Sequence, residues 1–329
     1  MGADAVTDLQ WARISNDAFN VALFAYIAAM VGYFVHLSFK REAIWQVARA
    51  VAVVGVTANV VSVVARGLAA DRVPWGNMYE YSSMLALLVV VGALVVVEGV
   101  YKVRSLTGFA LMFSVLTMAV AVSFLYVGPG PLVPALNSYW IKIHVQAAIW
   151  GSSLFALGGI ATIAYLVVDR AERKKLASLA SQSPPPIMGG SIDLDGADAR
   201  SVAAPADLVA DPAEDVHAVP ARRRLVPTAA GLDLLAYRLI ALAFPIWTFA
   251  VIAGAIWAQE AWGRYWGWDP KETWSFITWV VFAGYLHARA TSGWKGRRAA
   301  VIALVGFASL LVTYYAVNLF IVGLHSYAK

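Results

Sequence analysis

Residues 233–274 read "DLLAYRLIALAFPIWTFAVIAGAIWAQEAWGRYWGWDPKETW". The first part, 233–258, is apolar nearly throughout. At about 1.5 Å per helical residue it is long enough to cross a bilayer's hydrocarbon core. The second part, 262–274, reverses the character: Trp262, Trp266, Trp268 and Trp274 stand among Arg264, Asp269, Lys271 and Glu272. Another apolar run follows. A spanning helix that opens into a dense aromatic and charged stretch implies an all-α membrane protein with something built at the membrane surface.

Working outward, eight such runs lie at roughly 18–39, 43–65, 80–100, 104–127, 140–168, 233–258, 270–289 and 299–322. They predict a polytopic bundle of about eight transmembrane helices. The chain is 60% hydrophobic and 14% charged, against about 25% charged in soluble domains. Strand alternation is absent, which argues against a β-barrel. No small-residue cleavage site follows the first run, so it reads as a span rather than a signal peptide. The chain has no cysteine, which excludes thiolate catalysis and thiol metal ligation by its own residues.

Basic loops set the expected topology. Lys40 and Arg41, Lys102 and Arg104, the Arg170–Lys175 and Arg222–Arg224 groups, and Arg289 through Arg298 alternate along the chain and mark cytoplasmic loops. The net charge of +5 belongs to these loops and is no sign of nucleic-acid binding. Both termini and the loops 66–79, 128–139 and 259–269 then lie outside. Residues 169–228 are rich in Pro, Gly, Ala, Ser and Asp with no apolar period, and read as a disordered cytoplasmic linker. The linker separates a five-helix segment, 1–168, from a three-helix segment, 229–329.

Within the aromatic stretch, Asp269, Pro270 and Glu272 have the spacing of an N-cap, an N1 proline and a capping-box acid. That accounts for "DPKE" structurally. The tryptophans exceed what an interfacial girdle needs. Trp262, Trp266 and Trp268 precede the helix and lie on the outer surface or line a cleft there. A wide, planar, apolar ligand suits such a cleft, and Arg264 and Lys271 suit its carboxylates. Haem, a flat macrocycle with two propionates, meets the description. "WGNMYEYS" (75–82) repeats the design: Asn77 reads as a cap and Glu80 as its N3 partner, with Trp75, Met78 and Tyr79 available to the same cleft.

Of five histidines, His217 falls in the linker. His144, at the outer start of the fifth span, and His325, beyond the eighth, share the outer face with the tryptophans. Histidines on different helices can approach a haem iron from opposite faces of the ring. His287 lies about 25 Å below the outer surface, where an ionisable residue is by default functional. His36 lies at similar depth.

These segments resemble a known family. "WGRYWGWDPKETWSF" looks like the WWD signature of haem-handling proteins. With "WIKIHVQ", "GYLHAR", "GLHSYA" and "PWGNMYEYS", the chain is similar to the CcsA/CcsB (ResC) cytochrome c biogenesis family of System II. The resemblance implies a synthase in the plasma membrane that works with a ResB-type partner. Such proteins carry haem b outward and attach it through thioethers to the CXXCH thiols of apocytochrome c. It implies His144 and His325 as outer axial ligands and His287 as one inner ligand, the partner supplying the other. Trp75, Trp262, Trp266, Trp268, Trp274, Arg264 and Asp269 would make the haem-binding surface. Three other readings compete: a haem exporter without chemistry, an electron-transfer cytochrome b subunit, and a secondary transporter, which would show helices broken at mid-membrane.

Overall fold

Eight long helices make up the described residues of a computed structural model, which are 2–130, 136, 138–182, 227–321 and 323–324. They are α1 Gly2–Phe39, α2 Glu42–Ala70, α3 Met78–Val100, α4 Thr107–Phe124, α5 Tyr139–Gln182, α6 Ala229–Trp262, α7 Pro270–Thr291 and α8 Arg297–Phe320. Seven are long and apolar enough to cross a membrane. The exception, α7, has the length (22 residues) but carries Lys271, Glu272, His287 and Arg289, and charge lowers its hydropathy. No strand occurs among the described residues.

The helix starts follow their caps. Asn77 caps α3 through Glu80 N–H (2.9 Å). Asp269 and Glu272 form the expected capping box of α7, with Pro270 in its first turn. Glu80 departs from expectation. Its carboxylate reaches past Asn77 to accept Gly76 N–H (2.8 Å) and to bind Arg66 (3.1 Å) and Arg72 (2.9 Å). A buried acid between two arginines thus ties the α2–α3 loop down, and Arg72 Nε donates on to the Gly130 carbonyl (3.0 Å).

The most deeply set helix is α5, with 67% of its apolar window buried against 28% in α1 and α2. Its sequence "GSSLFALGGIA" allows this, because small residues let neighbouring helices approach closely. A Cβ at Gly159 would come within 2.6 Å of the Phe307 ring of α8. Phe155 of α5 stacks on Phe282 of α7 at 3.8 Å. The α1–α2 hairpin is closed by reciprocal Ser15–Ser62 hydroxyl-to-carbonyl bonds and packs on α3 through Phe19 on Tyr79.

α5 continues to Gln182, so residues 169–182, expected within the linker, are helical. The rest of that segment, including His217, lies outside the described residues, as does His325. Two units cluster separately by contact: 1–170 with 225–329, and 171–224. The first unit therefore holds helices from both sides of the linker.

Two helices contain π-helical turns: α3 ends in one over Ala93–Val100, and α8 carries one over Val312–Ala316 before its last α-helical turn. Such turns concentrate at functional sites. The first presents Glu98 to Tyr33 (2.7 Å), Trp45 (3.1 Å) and Thr107 (3.0 Å). The second presents Thr313 and Tyr314 to a cleft at the opposite end of the bundle.

Candidate functional site

The loops after α2, α4 and α6 and the end of α8 converge at one end of the bundle. Between them lies a cleft with about 1010 Å³ of empty space, counting the open solvent at its mouth. Seven aromatic rings stand in its walls: Trp75, Trp247, Trp257, Tyr265 and Trp266, with Tyr81 and Tyr314. Tyr81 and Tyr314 stack at 4.4 Å, and the Tyr81 hydroxyl donates to Ser152 Oγ (2.8 Å).

His144 lines this cleft. Its Nδ1 lies 2.7 Å from the Ala250 carbonyl on α6. A carbonyl only accepts, so Nδ1 carries the proton, and in the neutral ring the lone pair resides on Nε2. That is the arrangement of a metal-ligating imidazole, whose second nitrogen is oriented by a backbone acceptor. The ring lies nearly parallel to Trp257 (12°). Gly254 makes room for it, since a Cβ there would sit 2.7 Å from the imidazole.

The aromatic stretch divides its residues between different tasks. Trp266 lines the cleft. Trp262 instead packs on Trp257 at 4.8 Å and supports the wall from behind. Trp268 is 65% exposed and has a left-handed backbone, φ 56°. This strained conformation in a bulky residue directly precedes the cap Asp269. Trp274 lies half-buried on α7 outside the cleft lining. Arg264, expected to meet a ligand carboxylate, faces Glu272 (3.7 Å). Glu272 Oε2 also accepts Gly267 N–H (2.8 Å) and Asp269 N–H (3.2 Å), so this acid folds the loop onto the helix start. Asp269 has a second role: Oδ1 accepts Lys271 N–H (3.2 Å) while Oδ2 accepts Leu324 N–H (2.7 Å). The residue before His325 is therefore fastened to the start of α7.

The two inner histidines differ. His36 is buried, and its Nδ1 donates to the Arg41 carbonyl (2.9 Å) at the α1–α2 turn. His287 is exposed on α7, on the face that also presents Phe276, Val280 and Gly284.

Sequence reasoning missed Gly254, Trp257, Tyr81 and Tyr314. Trp257 and Gly254 sit in an apolar run where neither residue stands out. The tyrosines are far apart in sequence, and they stack directly while both bond Ser152 of α5.

Fold and site together define a polytopic membrane protein with an aromatic cleft, a histidine in its wall, at one end of the helix bundle. Comparisons agree. A family model described as Cytochrome C assembly protein matches residues 75–325. A cytochrome c biogenesis protein CcsA of Gloeobacter violaceus is 38% identical over 333 residues, 94% of this chain and 94% of that one. One of the same name from Synechococcus elongatus is 44% identical over 200 residues, 60% of each. Among solved structures, Cytochrome c Heme Lyase CcmF is similar in fold, with a TM-score of 0.62 at 14% identity over 93% of this chain. The chain spans 46% of that protein. The chain belongs to the cytochrome c assembly protein family, and its work lies in cytochrome c maturation.

Proposed function

We propose that the chain is the haem-handling subunit of a cytochrome c synthase. It receives haem b at His287, moves it outward, and holds it in the aromatic cleft between His144 and His325 for attachment to apocytochrome c. A ResB-type partner supplies the second inner ligand. The cleft, the aromatic loop and both termini face the extracytoplasmic side of the plasma membrane, and residues 183–226 form the cytoplasmic linker between the two helical segments.

The observation that carries the reading is His144: an imidazole in an aromatic cleft, held by a carbonyl on Nδ1 so that Nε2 bears the lone pair. The Asp269–Leu324 bond supports it. Leu324, the described residue that precedes position 325 in the sequence, is thereby held at the α7 start. Exposure of His287 on α7 suits a ligand site completed by another protein.

Haem is the substrate here. The cleft's contribution to the chemistry is proximity and orientation, bringing vinyl groups and CXXCH thiols within reach. In each attachment a carbon–sulfur bond forms at one vinyl carbon and the thiol hydrogen goes to the other. The addition is redox-neutral and needs no thiol from this chain.

The test is to purify the wild type with its partner alongside a His144→Ala/His325→Ala double variant. The wild type is expected to show a bis-imidazole haem spectrum and to convert a CXXCH peptide to a covalent haem product; the double variant should lose both. An unchanged spectrum in the variant would remove the ligand assignment. A wild type that binds and releases haem without forming the covalent product would instead be an exporter or haem chaperone.

A further inference from the structure

Most of the cations around the cleft are already engaged. Arg66 and Arg72 clamp Glu80 at 3.1 and 2.9 Å. Arg264 faces Glu272 at 3.7 Å. Lys271 differs. It lines the cleft, yet no carboxylate lies within 4.0 Å of its ammonium among the described residues. Its Nζ donates to Asn318 Oδ1 (3.0 Å) and lies 3.8 Å from Met78 Sδ. The neighbouring acid, Asp269, accepts backbone N–H groups on both oxygens and acts on the ammonium only from beyond ion-pair distance.

An ammonium has three donors and no acceptor. Asn318 satisfies one and the Met78 sulfur weakly satisfies another. A cation withdrawn from water into an aromatic wall is costly unless a counter-charge meets it. A second donor points the same way: the Trp75 indole Nε1 is buried with no hydrogen-bond partner in the same cleft wall. Glu272, whose Oε1 has no hydrogen-bond partner in that wall, is held by Arg264 at 3.7 Å, so Lys271 and Trp75 are the two donors there that no acid answers.

We propose that Lys271, aimed by Asn318, is the cleft's anion receptor and takes a carboxylate of the bound porphyrin, while Arg264 serves the loop. The proposal rests on the cleft being the haem site. It adds which group anchors the macrocycle's acidic edge, and so which edge is turned away from Lys271.

The experiment titrates the purified full chain in detergent with haem and with haem dimethyl ester, whose two propionates are esterified, following the Soret band. The wild type is expected to prefer haem by about tenfold or more, the ratio a single charge-assisted bond produces. Lys271→Gln is expected to bring the ratio close to unity, and Lys271→Arg to keep it. Arg264→Gln should leave it unchanged, and Asn318→Leu should reduce it with the α7 cap untouched. A wild-type preference retained in both Lys271→Gln and Asn318→Leu would overturn the proposal. Failure of the underlying reading shows separately: His144→Ala would then leave the Soret band of bound haem unaltered.

Discussion

At the scale of single residues, the site depends on one missing methyl group. Gly254 lies against the His144 imidazole so closely that a Cβ would stand 2.7 Å from the ring. Both neighbours in the contact are constrained: the imidazole by its bond to Ala250 and the glycine by the α6 backbone. Gly254→Ala should therefore displace the ring, not the helix. We expect a folded protein whose haem absorption has shifted or been lost, at a melting temperature within a few degrees of wild type; an unaltered spectrum would show that the ring position is not critical. The roles of Arg264 and Trp268 were the least legible in the sequence. In an irregular loop neither charge nor aromatic character states which way a side chain points, because no helical or strand period orders it. Arg264 turns to Glu272 and Trp268 to solvent. The cap residues were legible because the N-cap rule is local, whereas Asp269's hold on Leu324 spans 55 positions along the chain.

At the scale of elements, helix existence was readable from apolar run length, since about twenty apolar residues have few alternatives to spanning. Helix ends were less readable. α5 runs on to Gln182 because "DRAERKKLASLASQ" is made of strong helix formers; its apolar stripe stops at the membrane surface but its propensity does not. π-Helical turns have no sequence period of their own, so neither was anticipated. The one closing α3 has a measurable consequence. Glu98 collects Tyr33 from α1, Trp45 from α2 and Thr107 from α4, joining four helices far from the cleft. Glu98→Ala would leave these donors without their acceptor, at about 1–3 kcal/mol for each one that stays buried. Thermal unfolding in detergent should show a marked drop in midpoint, while haem affinity of the still-folded protein stays at the wild-type value. A matching fall in affinity would instead make Glu98 part of the haem pathway.

At the scale of the whole molecule, the class of fold and the placing of the aromatic loops at one end were legible, because topology follows from counting spans. A cleft was legible from the loops that bound it, but its helical walls were not, since they meet only once α5 stands between α3, α6 and α8. That central position has a consequence for how the chain is held in one piece. α5 meets α8 through Gly159 and Phe307 and α6 through Gly151 and Trp247, while residues 171–224 cluster apart from the unit these helices form. Side-chain packing of α5 on α6 and α8 supplies the adhesion between the helices before residue 182 and those after residue 229. Two polypeptides translated separately, divided anywhere within 183–224, should then recognise each other in a shared membrane. An affinity tag on either fragment should retrieve both, with the Soret band of the unbroken protein.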